Sequence, residues 1–131
     1  ITAMGEGINW NEIDVVIGIE ARGFILGSAL ALKHGKGFVP VRKKGKLPPP
    51  VVAETYTLEY GTDTLEMAVM DKSLRVLLVD DVLATGGTLR ATHSLCEKNS
   101  CQVKGAAVFI NLSFLNNFKQ DGVPLHSVLT Y

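Results

Sequence analysis

Apolar and polar positions along this 131-residue chain fall into short blocks that switch between two periodicities. Ile13 to Ile19 is an almost unbroken apolar run flanked by Asp14 and Glu20, the signature of a buried strand. Phe24, Leu26, Ala29, Leu30 and Leu32 follow with helical, Ala-rich character, and Gly35 stands where a left-handed C-cap ends such a helix. Phe38 to Val41 predicts a second short strand. Thr55 to Tyr60 and Leu65 to Val69 alternate apolar and polar around Gly61 and Asp63, which predicts a β-hairpin. Val76 to Asp80 predicts a central strand, Thr88 to Lys98 its helix, and Ala106 to Ile110 the next strand. Phe114 to Phe118 reads as a short helix and Leu125 to Leu129 as a last strand. Strands separated by helices predict an α/β fold, a mostly parallel twisted sheet with helices on both faces. Arg42 to Pro50 is basic and rich in Gly and Pro, so regular structure is excluded there and a flexible basic loop is expected over about residues 42–54.

Composition narrows the functional classes. With 47% hydrophobic residues the chain has enough apolar surface for one core, so residues 1–131 are expected to form a single domain. Thirteen basic residues balance thirteen acidic ones, which leaves no overall field to draw in nucleic acid or an anionic membrane. No apolar run approaches the length of a membrane span, and no signal-peptide pattern opens the chain. Cys96 and Cys101 match neither a zinc set nor a disulfide framework, and His34, His93 and His126 lack ligand spacing; a reduced, cytoplasmic setting is expected.

Chemistry concentrates in Val79-Asp80-Asp81-Val82-Leu83-Ala84-Thr85-Gly86-Gly87-Thr88. A buried strand ends in two carboxylates, then a Thr/Gly turn opens a helix. Such a turn presents backbone N–H groups of Ala84, Thr85, Gly86, Gly87 and Thr88 at a helix N-terminus, where dipole and unpaired donors both favour a phosphate. Gly86 and Gly87 allow close approach, Thr85 and Thr88 add hydroxyl donors, and Thr88 is a candidate helix cap. Asp80 and Asp81 would repel that phosphate but are placed for hydroxyls further along the same ligand, so the run reads as a ribose-5-phosphate cradle. Asp-Asp and Gly-Gly also occur as plain turn chemistry; their order and contiguity favour the cradle. A Walker loop would need a Lys where Thr88 and Leu89 stand, and the Gly-x-Gly-x-x-Gly dinucleotide fingerprint is absent. Glu20, Arg42 and the acidic pair are all expected at the carboxyl edge of the sheet, where such folds bind ligands.

In these residues the chain resembles the type I phosphoribosyltransferases, and within them the branch that acts on adenine. The resemblance rests on Glu20-Ala21-Arg22-Gly23-Phe24, Arg42-Lys43-Lys44-Gly45-Lys46-Leu47-Pro48, Leu58-Glu59-Tyr60-Gly61 and Val79 through Thr88, and runs from about Ile13 to the C-terminus. It implies transfer of the 5-phosphoribosyl group of phosphoribosyl pyrophosphate (PRPP) to adenine, with AMP and pyrophosphate as products, in a homodimer. It also implies a further N-terminal stretch before Ile1, forming a hood over the base, that is expected to be missing from this chain. Under the resemblance Asp80 and Asp81 hold the ribose hydroxyls and, indirectly, Mg²⁺. Glu59 handles the adenine proton, Tyr60 lies against the ligand or the closed loop, and backbone near Arg22 and Val82 reads the base.

The residues themselves suggest further roles. Arg22 suits a bidentate grip on pyrophosphate, against the alternative of a surface Arg paired with Glu20. Lys46, then Arg42 and Lys43, suit a mobile loop that brings cations over pyrophosphate and excludes water; the alternative is a nucleic-acid patch, and Lys44 is a solvated neighbour. Phe24 is a candidate to stack on the purine, or equally a core residue. Glu59 is equally an exposed strand-end carboxylate. The competing functions are transfer to hypoxanthine or xanthine, and a non-catalytic PRPP-binding regulator or fragment.

Overall fold

The computed structural model describes residues 2–58, 61–70, 73–116 and 123–131. Seven strands form one sheet: β1 (Val15–Ile19), β2 (Gly37–Lys43), β3 (Val51–Leu58), β4 (Gly61–Ala68), β5 (Arg75–Leu83), β6 (Gln102–Asn111) and β7 (Leu125–Thr130), in the spatial order β3-β4-β2-β1-β5-β6-β7. The β2-β1-β5-β6-β7 run is parallel, and the β3–β4 hairpin adds antiparallel to its β2 edge. A one-turn helix α1 (Thr2–Gly5) precedes β1; α2 (Glu20–His34) joins β1 to β2, and α3 (Gly87–Lys98) joins β5 to β6.

Alternation along the central strands divides the core. Ile17, Ile19, Val76, Leu78, Ala106 and Val108 face Leu89, Ala91 and Leu95 of α3. Their neighbours Val16, Leu77, Val79 and Ala107 face Leu30 and Ala31 of α2 and Met4 of α1. Successive strand side chains point to opposite faces, so each continuous apolar run serves both layers. The expected mostly parallel sheet with helices on both faces is what the chain forms.

A glycine seam sets α2 close to the strands. A Cβ at Gly18 would stand 2.5 Å from the Gly23 carbonyl oxygen and 2.7 Å from the Phe38 ring, and one at Gly27 would stand 2.9 Å from that ring. The first turn of α2 thereby lies directly on the carboxyl ends of β1 and β5. At the other end Gly35, at φ 66°, takes the expected left-handed C-cap.

Several boundaries differ from the sequence pattern. β5 does not stop at Asp80; it continues to Leu83 because Val82 and Leu83 pair with Ile110 and Asn111. α2 begins at Glu20 rather than near Phe24. Arg42 and Lys43 are strand residues paired with Glu66 and Leu65, and Val51 to Glu54 pair with Ala68 to Leu65, so the irregular basic stretch narrows from the expected 42–54 to 44–50. Thr88 does not cap α3: Gly86, at φ 92°, is the N-cap, with no side-chain cap bond. The expected helix at Phe114 to Phe118 is a single 3-10 turn at Ser113–Leu115, with Phe118 outside the described residues.

Candidate active site

The acidic pair lies inside β5, one strand away from the first turn of α2. Arg22 reaches across from that turn, its Nη1 donating to Asp81 Oδ2 at 3.1 Å; the guanidinium is 82% exposed and Asp81 25% exposed. Arg22 thus pairs with Asp81, not with Glu20. The backbone N–H of Asp81 donates to Asp80 Oδ1 at 2.8 Å, and that of Val82 to Asp81 Oδ1 at 2.9 Å. Burial, then the hydrogen bond and charge of the adjoining Asp81 carboxyl, push Asp80 up to about 7. At Asp81 burial pulls in the same upward direction, but hydrogen bonds with Asp80 and Arg22 outweigh it and hold the carboxyl below its ordinary value. The pair therefore tends to share one proton, because two close carboxylates in a partly dry site resist full ionisation.

These residues border an open cleft of about 390 Å³ lined by Ile19, Glu20, Ala21, Arg22, Lys43, Lys46, Asp80 and Asp81. Glu20 shapes its floor. Its φ of 55° places a non-glycine residue in the left-handed region, which costs on the order of 1–3 kcal/mol. Its Oε1 accepts the backbone N–H of Lys43, tying the start of α2 to the end of β2. The basic stretch is anchored a second time where the Gly45 N–H donates to Glu66 Oε1 at 2.9 Å. Lys43 Nζ leans towards Asp63 at 3.4 Å.

A separate small cavity of about 80 Å³ follows directly, lined by Asp80, Val82, Leu83, Ala84, Thr85, Gly86, Gly87, Thr88 and Leu89. It is bounded by the backbone turn that opens α3, the geometry in which orphan N–H groups gather an anion. Asp80 lines both cavities, so one ligand can span them with its anion in the turn and its hydroxyls at the carboxylates.

Two expected site residues turn elsewhere. The Arg42 guanidinium lies over the Phe24 ring at 5.4 Å, and Phe24 meets Phe38 edge-on at 6.1 Å. Arg42 Nε is buried without a hydrogen-bond partner among the described residues. Phe24 in this state therefore stacks on an arginine. Glu59 and Tyr60 lie outside the described residues. Tyr56 was not expected at the site, yet its ring would lie 3.7 Å from a Cβ at Gly87. Its only sequence signal is its place in the alternating strand.

A parallel sheet with this acidic pair, anion turn and cationic cleft at its carboxyl edge defines a phosphoribosyl-transferring domain, and the family model described as phosphoribosyl transferase domain matches residues 4–120. The adenine phosphoribosyltransferase of a Synechococcus strain is 53% identical, over 90% of this chain and 70% of that protein. The crystal structure of adenine phosphoribosyltransferase from Rhodothermus marinus superposes with a TM-score of 0.88 at 48% identity, covering 98% of this chain and 76% of that one. The Saccharomyces cerevisiae enzyme, solved with adenine and an imino-altritol bisphosphate, gives 0.80 at 35% identity over 95% and 70% of the two chains. The chain belongs to the phosphoribosyltransferase family and, within it, to the adenine phosphoribosyltransferases.

Proposed function

We propose that this protein salvages purine by transferring the 5-phosphoribosyl group of PRPP to adenine, giving AMP and pyrophosphate. The observation that carries this reading is Asp80, shared between the anion cavity and the acidic cleft. In that arrangement the amides of Thr85 to Thr88 take the 5′-phosphate, and Asp80 and Asp81 hold the ribose hydroxyls. Arg22, Lys43 and Lys46 take the pyrophosphate. The bond from N9 to the anomeric carbon forms as the bond to pyrophosphate breaks, and pyrophosphate leaves with the bonding pair. The N9 proton passes to Glu59, directly or through N7. Arg22 moves from Asp81 to pyrophosphate oxygens, where its planar fork gives two charge-assisted bonds. Val82 and the backbone beside Arg22 border the base, while Phe24 carries Arg42 on its face.

Mg²⁺ fits this donor set. Asp80 and Asp81 offer hard oxygens, and no group of three or more His, Cys, Asp or Glu side chains suited to a metal occurs among the described residues. The two carboxylates would hold the ion indirectly, through the ribose hydroxyls and water, so that its oxygens come from water and ligand, the coordination Mg²⁺ prefers. When bound, it would neutralise charge developing on the departing pyrophosphate. A cytoplasmic homodimer completes the reading. It is supported by the free, buried Cys96 and Cys101, and by Ile25 and Leu32, which stand 70% and 85% exposed on the outer side of α2.

The test is AMP formation from labelled adenine with PRPP and Mg²⁺, with hypoxanthine and xanthine as competing bases. Preferential use of either competitor, or PRPP binding without turnover, would overturn the assignment.

A further inference from the structure

We infer that Asn116 and Arg90, which stand outside both cavities, are positioning residues that preset the anion turn by holding two consecutive carbonyls away from the ligand. Asn116 Nδ2 donates to the Ala84 carbonyl at 2.8 Å and to the Leu112 carbonyl at 2.8 Å, with Asn111 Oδ1 sharing the group at 3.1 Å. Arg90 Nη1 donates to the next carbonyl, that of Thr85, at 3.1 Å. The C=O and N–H of a trans peptide point in opposite directions across one plane. Fixing the Ala84 oxygen therefore aims the Thr85 N–H the other way, and fixing the Thr85 oxygen aims the Gly86 N–H.

The lining of the anion cavity agrees with that direction. Residues Ala84 to Thr88 form its wall, and neither Asn116 nor Arg90 is among its lining residues. The two side chains thus grip the turn from behind. At the N-cap itself, Gly86 sits at φ 92° without a side-chain cap bond. Asn116 in turn follows the end of β6, just beyond which the Leu112 N–H donates to the Leu83 carbonyl at 2.9 Å. Donors aimed before the ligand arrives need no rearrangement on binding, which is how preorganisation raises affinity.

This assignment rests on the proposed use of the turn as a 5′-phosphate cradle, and titration calorimetry with ribose 5-phosphate separates the two. Asn116→Leu removes the donor at nearly constant size and charge; about a tenfold loss of affinity is expected, equivalent to about 1.4 kcal/mol. Arg90→Met is exposed and tolerable even where Asn116→Leu misfolds. It is expected to weaken binding about threefold, with a ratio to the unmodified protein that stays constant between low and high salt, because a lost anchor is not screened whereas a lost charge is. In turnover, KM for PRPP should rise while KM for adenine stays level, and the ligand-free melting temperature should move by only a few degrees. Unchanged ribose 5-phosphate affinity in both variants, or an Arg90→Met effect that vanishes at high salt, overturns the positioning role while leaving the cradle intact. Failure of the unmodified protein itself to bind ribose 5-phosphate overturns the cradle, and the inference with it.

Discussion

Arg22 and Asp81, 59 positions apart in sequence, meet at 3.1 Å across the gap between α2 and β5. Under the proposed function, the cation that takes pyrophosphate is thereby held on a carboxylate that takes the sugar. With the guanidinium 82% exposed, the pair contributes at most about 1 kcal/mol to folding. On the proposed reading its consequence is functional, since ligand entry would trade this contact for new ones on both sides.

Arg22→Ala should therefore leave the melting temperature nearly unchanged while lowering kcat/KM for PRPP about 10²-fold, the scale for removing a preorganised electrostatic contact. Arg22→Lys should recover little of this, since an ammonium lacks the fork. Steady-state kinetics beside calorimetry checks both; a large fall in melting temperature with retained activity would contradict them.

Much of this site is local in sequence, which is why it was legible there. Asp80 through Thr88 are contiguous, and buried-strand and helical periodicities bracket them, so both the acidic strand-to-helix turn and its position at the sheet edge follow from pattern alone. What depends on partners distant in sequence did not show. β5 runs past its acids because β6 supplies partners at Ile110 and Asn111, and Arg42 joins β2 because Glu66 pairs with it. Arg42 settles on Phe24 through a contact between α2 and β2 that no spacing rule encodes. Asn116 carried no signal, since the contact that ties it to the turn is to the backbone carbonyl of Ala84, far from it in sequence.

Gly18→Ala should destabilise the protein by about 1–3 kcal/mol, because the added methyl meets backbone as well as the Phe38 ring. The Gly23 carbonyl oxygen would lie 2.5 Å away, so α2 must shift off β1 and carry Arg22 with it. Urea unfolding should show a lowered midpoint at unchanged slope. An unaltered midpoint would mean that the helix does not approach the strand this closely.

Asn99 gives a second structural test away from the ligand. It is buried, its Nδ2 donates to the Ala68 carbonyl at 2.8 Å, and its Oδ1 accepts the Met70 N–H at 3.1 Å. Both bonds tie the end of β4 to the end of α3. Asn99→Ala strands two backbone groups and should cost about 1–3 kcal/mol. Denaturation together with amide exchange at Met70 would reveal it; unchanged protection there would contradict the role.

Two carboxylates should bend the pH dependence of stability in opposite directions. Asp80 sits near 7 in the folded protein against an ordinary 3.8, so the folded state holds this proton more tightly than the unfolded chain. Its contribution is full below about 4, declines as pH rises towards 7, and is flat beyond. Asp14 behaves conversely. Arg75 donates to it from Nε at 3.1 Å, from Nη2 at 2.9 Å and from its backbone N–H at 2.9 Å, chiefly through the side chain, and holds it near 2. That contribution is full above about 4 and is lost as pH falls towards 2. Of these two limbs only that of Asp80 operates between pH 4 and 7, where His34, held below its ordinary value by burial, bends the curve the other way. Asp80→Asn should flatten the decline in that window for ligand-free protein, and Asp14→Asn should remove only the acid limb. Denaturation midpoints across pH 2 to 8 separate the two. An Asp80→Asn protein that keeps the full decline would show that the acidic pair does not retain a proton near neutrality.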